Sequence, residues 1–358
     1  MKRLFALLIA LCPAIVLLSP GVGAAESVAG FEVVATVDVA TNPFGVTVAP
    51  DGKTAWVANS GPVLHGESQP GTVTVIGTAS LAIESVLQVG RFPEDVAFAG
   101  PGGQAFVTNS SDATVSVLDA VARTVTQTVS LAPVPMQFPF GIISTRDGAK
   151  VFVTSAGGQR DGSLQNIAIL DNSDPAAVTL DGTVTAAGAT GRPAATPDGR
   201  LLLVPRSRGH AGPPEILLVD PATDQVVDSI VMSGNQGAAM DVAVSPDGRF
   251  AYATLFGFGV AQGGVWVVDL RSRTTAAVVP TPDVRMHGIG ITPDGRFVFA
   301  TNFLLGQVSV ISTATNEVVQ NVTVGQLPNE VAVTPDSTRA FVTNQGDTTV
   351  SVISIPPG

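Results

Sequence analysis

One cysteine, three histidines, one tyrosine and two tryptophans are all that this chain of 358 residues contains. Each scarcity removes a class of chemistry. The cysteine, Cys12, lies inside the apolar N-terminal stretch "MKRLFALLIALCPAIVLLSPGVGAAES". That stretch reads as a secretory leader: Lys2 and Arg3 give a positive start, Leu4 to Leu18 an apolar run, and small residues lead to a cleavage site near Ala24. The run is too short for a membrane span, which takes about 20 apolar residues. Leu11 is too bulky for the small residue that precedes a lipid-modified cysteine. The mature chain then carries no thiol. Disulfides, thiolate–metal ligation and covalent haem attachment are excluded, and the fold must rest on its core alone. Three histidines are too few for a multi-histidine copper centre. No glycine-rich loop joins a strand to a helix, so nucleotide phosphate binding has no support.

Positive charge is scarce as well. Without Lys2 and Arg3 the chain has 16 Lys and Arg against 29 Asp and Glu. Affinity for phosphate backbones and anionic lipid comes from clustered basic residues, so neither is an expected partner. Charge runs, low-complexity linkers and a second long apolar stretch are also missing. The expectation is a leader over residues 1–24 and one soluble, monomeric domain over 25–358, exported to the periplasm or beyond.

What the chain does have is repetition. A turn of the form "PDG" recurs around Gly52, Gly102, Gly148, Gly199, Gly248, Gly295 and, as "PDS", Ser337. The steps are 50, 46, 51, 49, 47 and 42 residues, each close to one four-stranded propeller blade. The sixth copy shows the internal pattern. "HGIGIT" is a strand; "PDG" is a tight turn in which proline sets φ and glycine accepts positive φ. "RFVFATN", "QVSVIS" and "EVVQNVTV" follow as three more strands, rich in β-branched residues and alternating in period two. The seventh copy stops after "TVSVIS" and lacks its fourth strand. The string "EVVATVDV" at Glu32 to Val39 matches that missing strand. The spacing predicts an all-β, seven-bladed propeller of four-stranded antiparallel blades, with the N-terminal strand completing the last blade and closing the ring.

The segments "AFVTN", "AWVAN" and "VFATN", and longer ones such as "VSVISTATNEVVQNVTVGQLPNEVAVTPD", resemble the YVTN repeat of seven-bladed propellers. That family includes exported bacterial and archaeal surface-layer proteins, and the resemblance covers essentially the whole mature chain. It implies a propeller serving as a surface or periplasmic binding protein, a lactonase, a streptogramin-type lyase, or a structural domain of a redox enzyme. Copies three and four depart from it, with "VFVTS" and "LLVPR" lacking the asparagine.

In a four-stranded blade the first-to-second turn lies on one face, and the second-to-third loop lies on the other with the start of each innermost strand. The "PDG" turns are uniform. The second-to-third loops vary and are long in copies one, three, four and five, which is where binding is usually placed. Two positions recur at the starts of the innermost strands. One reads Phe44, Glu94, Phe140, Gly191, Met240, His287, Asn329. The next reads Gly45, Asp95, Gly141, Arg192, Asp241, Gly288, Glu330. Glu94, Asp95, Arg192, Asp241, His287 and Glu330 are therefore expected to meet at one channel mouth, with His65, Arg160, Arg206, Arg208 and His210 on rim loops. Two readings stay open. Mutual repulsion among the carboxylates raises their pKa values or recruits a divalent cation, calcium or magnesium, on Asp95, Asp241 and Glu330. Otherwise the mouth is a water-filled entrance whose charges are solvated or paired with Arg192. Phe256, Phe258, Phe303, Leu304 and Leu305 fall in the variable loops, either as a patch for a partner or packed beneath neighbouring loops. The functional expectation is an exported scaffold that binds a protein, small molecule or polymer at the loop face. The alternatives are a cation-dependent lactonase- or lyase-like enzyme and an accessory propeller of periplasmic redox metabolism.

Overall fold

The structure, a computed structural model, describes residues 30–64, 67–100, 102–134, 136, 138–156, 166–207, 212–232, 237–257 and 263–358. Phe31–Gly358 forms one compact unit. Its described residues contain no helix, and seven sheets follow one another around a ring. Blade six is typical. Met286–Ile291 lines the axis, then come Phe297–Asn302 and Gln307–Ser312, with Glu317–Thr323 outermost. The two middle strands are buried along their length because both faces meet a neighbouring blade, whereas the outermost alternates exposed and half-buried residues. Each apolar cluster accordingly spans two blades. One joins Val46, Val57 and Ile76 of blade one to Phe341, Val350 and Val352 of blade seven.

That last cluster lies at the closure. Glu32–Asp38 pairs antiparallel with Thr349–Ser354, running from Glu32 opposite Ser354 to Asp38 opposite Thr349. Ala35 and Val37 pack on the shared cluster. Just before the strand, the Phe31 amide donates to Gln320 Oε1 at 3.0 Å, and Gln320 Nε2 donates back to the Phe31 carbonyl at 2.7 Å. The Phe31 ring meets Phe297 and Phe299 edge-on, with centroids 4.9 and 5.7 Å away. The N-terminal segment thus fastens to blade six as well as completing blade seven.

The repeated side chains have separate structural tasks. The threonine of "VTN" joins blades: Thr108 donates to the Phe140 carbonyl (2.8 Å), Thr154 to Gly191 (2.9 Å), Thr301 to Asn329 (3.1 Å) and Thr343 to Phe44 (2.6 Å). Thr254 does the same to His287. The asparagine ties second strand to third, as Asn109 Nδ2 does through Thr114 and Ser116. In the turns, the aspartate accepts from a hydroxyl two residues earlier and an amide two residues later. Asp147 with Thr145 and Ala149 is one case. These bonds hold the carboxyls of Asp147, Asp198, Asp247 and Asp336 below their usual range.

Two blades depart from the four-strand pattern. Blade four carries Pro205 where blade one has Ala58 and the other five have threonine, and its innermost strand is broken into Ala189–Thr190 and Ala194–Ala195. Between the pieces Arg192 turns to the next blade, its amide donating to the Met240 carbonyl at 2.8 Å. Blade one adds a small hairpin, Val63–Leu64 with Glu67–Ser68, inside its long loop.

Candidate functional site

Every unbroken innermost strand has a shift in register near its start; in blade one it falls between Pro43 and Val46 and in blade seven between Pro328 and Val331. This bulge holds the two recurring positions near the axis. In the second row, Gly45, Gly141 and Gly288 each stand between two charged residues and make room for them. A Cβ on Gly45 would stand 2.9 Å from Asp95 Oδ1, one on Gly141 2.7 Å from the Arg192 Cα, and one on Gly288 2.7 Å from Glu330 Oε1. The sequence-predicted residues of blades two, four, five and seven do come together here.

Arg192 is the centre. Its Nη1 is 2.9 Å from Glu330 Oε2, its Nε 3.8 Å from Asp95 Oδ2, and its Nη2 donates to Asn329 Oδ1 at 3.5 Å. The rings of Phe44 and Phe140 flank the guanidinium at 5.5 and 4.7 Å, a cation–π arrangement. Asp95 accepts from the amides of Val96 (2.9 Å) and Ile142 (3.2 Å), and Asp241 from Val242 (2.8 Å) and Ile289 (3.0 Å). Glu330 Oε1 accepts from the Val331 amide at 2.9 Å. Asp95 and Asp241 each tie their own blade to the next.

The expected pairing with Arg192 is present, and the expectation of a water-filled entrance needs correction. None of Glu94, Asp95, Arg192, Asp241, His287 and Glu330 is more than 8% exposed. The cluster is a charged plug. Its carboxyl pKa values are raised, first by burial and only then by neighbouring carboxylates. Burial pushes Glu94 up to about 8 and Asp95 to about 7, with Arg192 opposing in both cases. Asp241 is raised well above the usual range by burial and by Glu330, and Glu330 is raised by burial against the pull of Arg192. Burial acts to lower the Arg192 pKa, and the surrounding carboxylates, Glu330 foremost, outweigh it. His287 falls to about 3 through burial and the nearby guanidinium, so its ring is neutral. The oxygens of Asp95, Asp241 and Glu330 are engaged by amides and by Arg192. Among the described residues no three His, Cys, Asp or Glu could hold a metal ion.

Two aromatic walls border the plug. Phe44 lies 6.3 Å from Phe92 and 6.2 Å from Phe140 on blades one to three. On the other side of the ring His287 stacks on Phe303 at 4.4 Å and meets Phe256 edge-on at 5.1 Å. Close in the chain to Phe140 and Phe303, three large apolar residues are exposed: Phe138 by 53%, Leu304 by 50% and Leu305 by 49%. The sequence signal for the first wall is the recurrence of phenylalanine, as Phe44 and Phe140, on either side of Glu94 at one repeat position. On the rim, Arg206 bonds Glu215 Oε1 through Nε (3.1 Å) and Nη2 (2.5 Å) and the Ala186 carbonyl through Nη1 (2.5 Å). It is a strut of blade four. His65, Arg160, Arg208 and His210 lie outside the described residues, as does Phe258. The uniform turn face is not featureless either: grooves of about 620 to 720 Å³ run between blades two and three, three and four, and four and five.

No protein-family model and no curated protein matches this chain. Solved structures do. One is a chain of Kuenenia stuttgartiensis hydrazine synthase, 19% identical, covering 88% of this chain and 96% of that one with a TM-score of 0.76. Another is the Myceliophteria thermophila Cps50 (Swd1) beta-propeller domain, 10% identical, covering 90% and 100% with a TM-score of 0.69. At such identities the likeness shows the fold alone. This chain is a seven-bladed β-propeller.

Proposed function

We propose that this protein is an exported interaction scaffold of the YVTN-repeat kind, released from its leader near Ala24, which docks a protein partner on the loop-bearing face of the ring. The carrying observation is the exposed apolar trio, Phe138, Leu304 and Leu305, continuing the aromatic walls of the mouth from two sides. Among the described residues, six phenylalanines stand on this face: Phe44, Phe92, Phe138, Phe140, Phe256 and Phe303. Exposed apolar area of this kind is costly in water and is a mark of partner surfaces. A lactonase- or lyase-like reading needs a divalent ion at the mouth, and the engaged oxygens of Asp95, Asp241 and Glu330 give it no support. A redox-accessory reading draws on the repeat resemblance and on the likeness to hydrazine synthase, which at 19% identity speaks for the fold alone.

Site-specific photo-crosslinking in the exporting cell tests the proposal. A benzophenone side chain at Leu304 is expected to give a discrete adduct that Phe138→Ala abolishes. The same group at Lys53, on the turn face, is expected to give none. Adducts from Lys53 alone would reverse the choice of face.

A further inference from the structure

Among the described arginines of the loop face, three have a carboxylate. Arg91 pairs with Asp112 (2.5 Å), Arg192 with Glu330 and Arg206 with Glu215. Arg285 does not, in a chain with a surplus of acid. It is exposed, and its guanidinium lies 5.4 Å over the Phe256 ring. A backbone bridge between Phe256 and Arg285 fixes the two side by side. The nearest acid in sequence, Asp283, is 4% exposed and is spent on backbone: its Oδ1 accepts from the Arg285 amide (3.0 Å) and its Oδ2 from the Leu304 amide (2.7 Å). Those two bonds also hold Arg285 and the exposed Leu304 on one support. A cation held over an aromatic ring, beside apolar side chains and without its own anion, is arranged to receive one from outside.

Resting on the docking face proposed above, we infer that the partner presents an apolar polypeptide segment bearing a carboxylate, which pairs with Arg285 while its apolar side chains cover Leu304, Leu305 and the Phe256–Phe303 wall. The guanidinium supplies orientation, since its planar fork takes a carboxylate in two parallel hydrogen bonds. The apolar wall supplies most of the contact area.

The test uses two dyes with related rings. Anilinonaphthalene sulfonate carries an anion; phenylnaphthylamine does not. In fluorescence titrations of the mature protein, the sulfonate dye is expected to bind more tightly than the neutral one. Arg285→Gln is expected to weaken the sulfonate dye roughly tenfold and leave the neutral dye unchanged. Arg285→Lys should keep much of the difference. Arg271, equally without an ion-pair partner among the described residues but on the turn face, serves as control, and Arg271→Gln should change neither dye. Equal affinities for the two dyes, no binding of either, or loss of the sulfonate dye in Arg271→Gln instead would overturn the inference. The cross-link at Leu304 is read separately. An adduct there with equal dye affinities keeps the docking face and removes only the anionic chemistry.

Discussion

Arg192 decides how four carboxyls can share the axis of this ring. Among the described residues at the axis only Arg192 carries a formal positive charge, His287 being neutral, and each carboxyl is buried. Glu330 lies closest to the guanidinium, and burial raises the pKa values of the others, so that each holds a proton more readily than an exposed carboxyl would. Arg192→Met is expected to destabilise the protein by roughly 3–5 kcal/mol, because it leaves buried carboxyls without their cation. Arg192→Lys should recover only part of that, since a point ammonium cannot face Glu330, Asp95 and Asn329 together between two aromatic rings. Urea unfolding midpoints at pH 7 measure both. A midpoint unchanged in Arg192→Met would mean that the plug contributes nothing to ring closure.

At the level of elements, the ring depends on its first strand. Glu32–Asp38 covers the edge of Thr349–Ser354 and half-buries Ala35 and Val37 against blade seven. A chain beginning at Asn42 would expose that ladder and an apolar face, so it should melt markedly lower and associate through the open edge. Sedimentation and a thermal melt of that truncation check this. A gentler probe is Phe31→Ala. It empties a ring-sized site against Phe297 and Phe299 and should cost about 3 kcal/mol, while the strand pairing itself remains. The threonine clamps are smaller devices; Thr301→Val, which leaves the Asn329 carbonyl without a donor, should cost about 1 kcal/mol.

For the whole molecule, the two groups of acids give opposite pH responses. Glu94 and Asp95 have folded pKa values raised to about 8 and about 7, from 4.5 and 3.8. Between the ordinary and raised values the folded chain holds protons that the unfolded chain has lost. Their contribution is therefore complete below the ordinary carboxyl range and falls away as pH rises through the raised values. The turn acids Asp147, Asp198, Asp247 and Asp336 are depressed, so what they contribute is present above the ordinary range and is lost as pH falls through their lowered values. Stability should peak at about pH 4 and decline toward pH 8. Thermal melts at fixed ionic strength follow this, and Glu94→Gln, which cannot ionise, should flatten the decline. A wild type equally stable at both pH values would contradict the burial of these acids in protonated form.

Repeat spacing alone determined the number of blades, the strand order within them and the closure by the first strand, because a four-stranded blade has a fixed length and a missing strand leaves a countable gap. It also determined which side chains meet at the axis. Homologous positions in a ring fall at one height, so Glu94, Asp95, Arg192, Asp241, His287 and Glu330 could be named together from register. Their state could not. Whether a carboxyl at the axis is wet or buried depends on what five or six other blades place beside it: Gly45, Gly141 and Gly288 opening space, Phe44 and Phe140 closing over the guanidinium. The partner of Arg206 and the isolation of Arg285 were equally illegible, since ion pairing depends on distances between side chains that sequence spacing leaves free. Register is a property of the chain, and burial is a property of the neighbours that folding brings to it.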